Sequence, residues 1–125
     1  MQKQYRLKRR NDFRRAFRTG SSAANRQFVV YRSPRREKGP VRVGISVSRK
    51  VGNAVTRNRI KRLVKEVVRQ WVDDLPANTD LIIIARNPAA EMDYHQIQSS
   101  LRHVFHRAQL LPKQKRPSAK EGRNG

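Results

Sequence analysis

The densest group of side chains that could do chemistry lies between residues 49 and 65, which read RKVGNAVTRNRIKRLVK. A Gly-Asn turn in this segment leads directly into a predicted helix whose first turns carry Thr56, Arg57, Asn58 and Arg59. Backbone N–H groups, the positive end of a helix dipole and guanidinium groups come together there, and phosphate oxygens bind to all three. Because cations in the first turns oppose the helix dipole and the run holds no acid, the pattern favours a phosphate-binding surface over an ordinary solvated helix face.

Aromatic side chains form a second candidate site. Phe13 and Phe17 are four residues apart among arginines in a predicted helix, and Tyr31 lies in a short predicted strand. Unpaired nucleobases stack on such rings while basic neighbours hold the nucleic-acid backbone. Two phenylalanines at helical spacing are nevertheless more often core residues, so the spacing alone favours a buried position for both.

The sequence offers little for catalysis by the protein itself. It contains no cysteine, no Gly-rich phosphate loop and no carboxylates paired in a motif. His95, His103 and His106 all lie in the last predicted helix, but no third metal ligand stands at a suitable spacing from the last two. We therefore predict no active site and no metal site on the protein, and a ribonuclease that uses His103 and His106 unaided remains as an alternative.

The charge of the chain indicates a polyanionic partner. The 125 residues include 30 Lys or Arg against 9 Asp or Glu, which gives a formal net charge of +21. Residues 1–19 and 42–69 hold eight and nine basic residues with one acid each, whereas residues 70–93 hold five acids and one base. Such sorting is expected of a one-sided surface for nucleic acid, with an anionic membrane surface as the weaker choice. We expect a cytoplasmic protein, because the sequence has neither a secretory signal nor an apolar run long enough to span a membrane.

Periodicity predicts a single domain with the element order αββαβα. The predicted elements are a helix at 11–18 capped by Asn11 or Asp12, strands at 27–32, 41–47 and 81–85, a helix with an apolar stripe from Ile60 to Trp71, and a last helix with an Asp93–Gln96 capping box. The strand-helix-strand order in the middle suggests a βαβ unit and a two-layer α/β sandwich. Phe28 and Val30 point to one face of the sheet, and Val29 and Tyr31 point to the other. If one face of the sheet is solvated, only one of these two pairs can be in the core. Residues 1–111 should form this domain and residues 112–125 a disordered basic tail.

Residues 44–66, GISVSRKVGNAVTRNRIKRLVKE, closely resemble the signature of the bacterial ribonuclease P protein subunit, whose hallmark is an Arg-Asn-Arg helix. Three other segments agree with the family in order. They are Asp12-Phe13 with Phe17, Ala24-Asn25-Arg26, and the apolar strand from Ile82 to Pro88. The resemblance covers residues 5–111.

The resemblance implies more than the residues themselves indicate. The family fold is an α/β (α+β) sandwich with a central mixed sheet and a left-handed βαβ crossover, similar to a ribosomal-protein and elongation-factor-G domain. Such a subunit binds a catalytic RNA and the 5′ leader of precursor tRNA, and the RNA uses Mg²⁺ to remove the leader. The resemblance implies neither a membrane nor a small-molecule substrate. A noncatalytic ribosomal or RNA-chaperone protein is the alternative that the same charge and fold would serve.

Carried over residue by residue, the resemblance implies two RNA-binding sites and no catalytic residue on the protein. The residues implied to face the catalytic RNA are Arg57, Asn58, Arg59, Lys61, Arg62 and Lys65. The residues implied to contact the single-stranded leader are Phe13, Phe17, Tyr31, Ser46, Ser48, Arg49 and Lys50. For the two phenylalanines, this implication reverses the expectation from spacing.

Overall fold

The computed structural model describes residues 5–7 and 10–111. Its helices are α1 (Arg10–Thr19), α2 (Ala54–Arg69) and α3 (Tyr94–Arg107), and its strands are β1 (Ser21–Ala24), β2 (Phe28–Pro34), β3 (Arg42–Val47) and β4 (Thr79–Ala85). Every predicted element is present, with ends that differ by a few residues. The predicted tail at residues 112–125 lies outside the described part. No helix in the described part is long and apolar enough to cross a bilayer.

The four strands form one mixed sheet in the order β1-β2-β4-β3. β3 runs parallel to β4, whereas β2 is antiparallel to both β1 and β4. The predicted βαβ unit is therefore confirmed as β3-α2-β4. The segment before α1 runs beside β3, where the backbone N–H of Leu7 donates to the carbonyl of Val43 at 2.9 Å.

The predicted order αββαβα lacks one strand, and the correct order is αβββαβα. The additional strand is β1, which pairs with β2 along the register Ser22 to Tyr31. Its sequence, SSAA, contains none of the β-branched or aromatic residues that mark a strand. β1 forms because β2 offers a partner for its backbone, and that partner is not visible in the local pattern.

The core lies between one face of the sheet and the helices α2 and α3. Phe28 and Val30 on β2 are fully buried, in one cluster with Ile60 and Val64 on α2 and Phe105 on α3. The α/β sandwich is thereby confirmed. Of the two alternating pairs on β2, Phe28 with Val30 is the core pair. α1 covers part of the opposite face, where Tyr31 packs at the edge of a second, smaller cluster.

The ends of the helices follow from local side chains, with one exception. The side chain of Asn53 accepts from the backbone N–H of Thr56 at 2.9 Å and caps α2. The predicted capping box of Asp93 and Gln96 is present at α3. The predicted cap of the first helix is wrong, because α1 begins at Arg10 and both candidate residues lie inside its first turn. Asp12 is instead drawn into ion pairs with arginines.

Candidate nucleic-acid interface

The face of the sheet toward α1 is built from rows of paired residues. The register sets Tyr31, Ile82 and Gly44 side by side, and it sets Val29, Ile84 and Ser46 in the next row. α1 lies over the first of these rows. In the second row both apolar side chains are only half-buried and Ser46 is exposed. A strip of sheet is thus open to solvent beside α1.

The aromatic residues predicted for leader binding lie along this strip. The rings of Phe17 and Tyr31 meet edge to face, with centroids 4.9 Å apart and an interplanar angle of 84°. Phe17 is 43% exposed and Phe13 is half-buried. The core position that helical spacing favoured is therefore wrong for Phe17. An exposed ring locked against a neighbouring ring is a preorganised stacking surface.

Phe13 connects this strip to α2. Its ring lies against the backbone of Gly44, where a Cβ atom would stand 2.5 Å from Phe13 Cζ. The same ring lines a cavity of about 250 Å³ with Ile45, Lys61 and Lys65. The predicted aromatic site and the predicted cationic site on α2 therefore meet at the edge of β3, where the Phe13 ring lies next to both.

The polar residues predicted at the end of β3 are all exposed. They are Ser46, Ser48, Arg49 and Lys50. Ser48 also lines a hollow of about 420 Å³ with two arginines that the sequence did not assign, Arg26 and Arg86. Arg86 is held in part by the backbone, since its Nη1 donates to the carbonyl of Asn25 at 3.2 Å. Each of these arginines lies in a segment that carries the family resemblance, and that position in the sequence could have indicated them as candidate site residues.

The cations of α2 do not all point the same way. Asn58, Lys61, Arg62 and Lys65 are spaced i, i+3, i+4, i+7 and line one hollow on the exposed side of the helix. This spacing places four of the six predicted residues on a single surface. Asn58 and Arg62 are exposed, Lys61 and Lys65 are half-buried, and one acid, Glu66, lines the same hollow.

The other two predicted residues bond the protein itself. Arg59 donates from Nη2 to the carbonyl of Met92 at 2.6 Å and from Nη1 to that of Ala90 at 3.4 Å. Arg57 donates from Nε to the carbonyl of Gly52 at 3.1 Å. Both are half-buried. In the structure, Arg59 braces α2 against the turn before α3, a role that spacing along the chain could not distinguish from RNA binding.

A buried ion-pair network lies at the other end of the α1 side of the sheet. Asp80, at the start of β4, is 1% exposed and accepts from Arg35, Arg42 and Arg15. The hydrogen bond from Arg42 to Asp80 is the main cause that raises the pKa of the Arg42 guanidinium. In the sequence, Asp80 is one acid in an acidic stretch at the start of an apolar run. The network is not visible there, because the three arginines come from separate segments.

The described residues offer no protein-bound metal centre. No group of three or more His, Asp or Glu side chains among them is placed to hold an ion. His95, His103 and His106 are all exposed along α3. The ring Nδ1 of His103 lies 3.4 Å from the amide nitrogen of Asn25. None of these histidines lies in the open strip beside α1 or lines the hollow on the exposed side of α2.

Both the sequence and the fold of this chain are similar to those of known ribonuclease P proteins. The sequence profile of the Ribonuclease P family matches residues 1–109. The ribonuclease P protein component of Bacillus cereus strain B4264 is 47% identical over 108 residues, which cover 86% of this chain and 94% of that protein. The solved structure of the Staphylococcus aureus RNase P protein superposes with a TM-score of 0.81 at 47% identity, over 86% of this chain and 97% of that one. An RNase P protein from Thermotoga maritima, solved with 1-(4-fluorophenyl)-2-thiourea, gives a TM-score of 0.74 at 33% identity, over 82% and 98%.

Proposed function

We propose, since this chain belongs to the ribonuclease P protein family, that it is the protein subunit of a ribonuclease P ribonucleoprotein and acts in tRNA processing. In this proposal the chain binds the catalytic RNA and the 5′ leader of precursor tRNA, and assists the endonucleolytic removal of the leader. The observation that carries the proposal is the pairing of two surfaces. An exposed aromatic strip beside α1 adjoins a cationic face on α2.

The strip beside α1 suits a single strand of RNA. The Phe17 and Tyr31 rings present stacking surfaces, and Ser46 and Ser48 offer hydroxyl groups farther along the same side. Stacking on an aromatic ring is tolerant of base identity, because every base has a π-face. A leader of varied sequence needs such tolerance. A paired stem would not fit this mode, because its bases are already stacked on one another.

The surface on α2 suits the folded catalytic RNA. Lys61, Arg62 and Lys65 supply three cations on one side of the helix, and Asn58 adds an amide donor. Such contacts bind phosphates without reading sequence and release counterions, so that the affinity depends steeply on salt. Arg57 and Arg59 donate to backbone carbonyl oxygens, and they add to the positive potential of the same helix.

In this proposal the protein contributes binding and electrostatics, and the RNA carries out the chemistry. The family resemblance assigns Mg²⁺ mainly to the RNA subunit, so we derive no step through a metal on the protein. The net charge of +21 lowers the repulsion between two RNAs that meet on one protein. The expected consequence is that cleavage needs less magnesium. A bacterial ribonucleoprotein of this kind would work in the cytoplasm.

Reconstitution tests the proposal directly. This chain is added to a ribonuclease P RNA and a precursor tRNA with a 5′ extension at low Mg²⁺, and cleavage at the mature 5′ end is measured. The proposal expects strong stimulation by the protein. RNA binding without stimulation would indicate the alternative, a noncatalytic ribosomal or RNA-chaperone protein. Cleavage by the protein alone, abolished in a His103→Ala/His106→Ala variant, would instead indicate an unaided ribonuclease.

A further inference from the structure

The contact of α1 with the sheet has an apolar part and a polar part. Ala16 is the one fully buried side chain of α1 and packs in a small cluster with Ile82 and Leu7, and the partly buried Phe13 ring packs against the same cluster. This apolar contact is not directional, so it does not by itself fix the helix at one angle. The aromatic rings on α1 nevertheless meet specific partners on the sheet. Directional polar contacts are better suited to fix that angle.

A network of five charged side chains supplies these contacts. Asp80 receives Nε and Nη2 of Arg42 at 2.9 and 3.0 Å, and Nη1 of Arg35 at 3.1 Å. From α1, Arg15 reaches Asp80 at 3.5 Å and Asp12 at 3.2 Å. Asp12 lies 3.6 Å from Arg42 and closes the network. Two residues of α1 are thus tied to β3 and β4.

The network and the aromatic rings lie on neighbouring rows of α1, with the buried Ala16 between them. Asp12, Arg15 and Thr19 are spaced i, i+3, i+7, and the Thr19 hydroxyl is 3.0 Å from that of Ser33 on β2. Phe13 and Phe17 form the neighbouring row. A rotation of α1 about its axis would therefore break the polar contacts and displace both rings from their partners on the sheet.

We propose that Asp80 and Asp12 are positioning residues for leader recognition, a role that rests on the proposed function. Neither touches the open strip, since Asp80 is 1% exposed and the Asp12 side chain 13%. Through Arg15 and Arg42 they fix the angle of α1, and with it the Phe17 ring against Tyr31. The leader then meets aromatic surfaces that are already in place, so that binding does not have to order them.

The sign of the charge separates this role from simple electrostatics. Asp12→Asn removes an acid and makes the protein more positive, which by itself should tighten the binding of every RNA. If the Phe17 ring loses its position, the protein should instead bind the leader more weakly. Asp12→Asn also leaves the buried pairs of Arg35 and Arg42 with Asp80 in place, so the fold should survive. Glu91→Gln, which removes an exposed acid outside the network, is the matched control.

The experiment measures leader preference in the reconstituted holoenzyme. This preference is the Kd for mature tRNA divided by the Kd for the same tRNA with its 5′ leader. We expect Asp12→Asn to lower the preference roughly fivefold, the lower end of the cost of one lost stacked base. Glu91→Gln should leave the preference unchanged. Combined with Phe17→Ala, Asp12→Asn should cause little further loss, because both changes remove one interaction.

A measurement on the free protein is independent of RNA. Nuclear Overhauser contacts between the Phe17 and Tyr31 rings should weaken in Asp12→Asn and persist in Glu91→Gln. A full preference in Asp12→Asn, additive losses with Phe17→Ala, or unchanged ring contacts would each overturn the positioning role. Wild-type protein without any leader preference would instead refute the proposed leader site, whatever the variants do.

Discussion

Replacing Asp80 by asparagine tests whether the buried network stabilises the fold. The change keeps the shape of the side chain and removes its charge. Asp80 is 1% exposed and the Arg35 side chain 4%, so that an uncompensated guanidinium would remain away from water. Arg42 would lose one of its two acceptor oxygens, because an NH2 donor replaces it, and the remaining hydrogen bond would no longer be to a charged group.

The expected loss of stability is large for a single polar substitution. Removing one partner of a buried ion pair costs about 3–5 kcal/mol, because the remaining charge stays desolvated. With an unfolding entropy of about 2.1 cal/mol/K per residue, each kcal/mol lowers the midpoint of thermal unfolding of a domain of this size by about 4–5 °C. We therefore expect Asp80→Asn to lower the midpoint by roughly 12–25 °C.

Thermal and urea unfolding followed by circular dichroism measure this loss. Glu66→Gln is the control, because the ion pair of Glu66 with Arg69 lies on the surface, where both side chains are about half exposed. Its midpoint should match that of the wild type. Equal midpoints for Asp80→Asn and Glu66→Gln would refute the reasoning, since they would mean that water or other groups solvate Arg35 and Arg42 as well as the carboxylate does.

Three further outcomes follow from the structure. Arg62→Ala should weaken binding to the catalytic RNA and reduce the slope of log affinity against log salt by about one, with unchanged stability in urea. Arg59→Ala should lose about 1.5–3 kcal/mol of stability in urea, because it loses charge-assisted hydrogen bonds. A loss of stability in Arg62→Ala and a loss of RNA affinity alone in Arg59→Ala would contradict the orientations on α2. Gly44→Ala should cost about 1–3 kcal/mol and weaken leader binding, because the new methyl group must displace the Phe13 ring; unchanged melting and leader affinity would show that the ring has room. Asn53→Ala should cost about 1 kcal/mol in thermal unfolding and Asn53→Gly only a few tenths, and equal losses would argue against a capping role.

The sequence by itself determined the parts of this protein whose physics is local. Alternation along β3, the apolar stripe of α2 and the capping box of α3 each need only neighbours in the chain, and all three were predicted correctly. The basic character of the partner surface also followed from the sequence, since charge adds along the chain wherever the fold puts it. The resemblance of residues 44–66 to ribonuclease P proteins gave the family before any coordinates.

Tertiary structure alone decided what depends on distant partners. β1 exists because β2 offers a backbone edge, and Asp80 is buried because three arginines from separate segments converge on it. The exposure of Phe17 and the inward bond of Arg59 to Met92 follow from the angle at which each helix packs. Helical spacing shows which residues share a side of a helix, and only the packing shows which side contacts protein and which side is exposed to solvent.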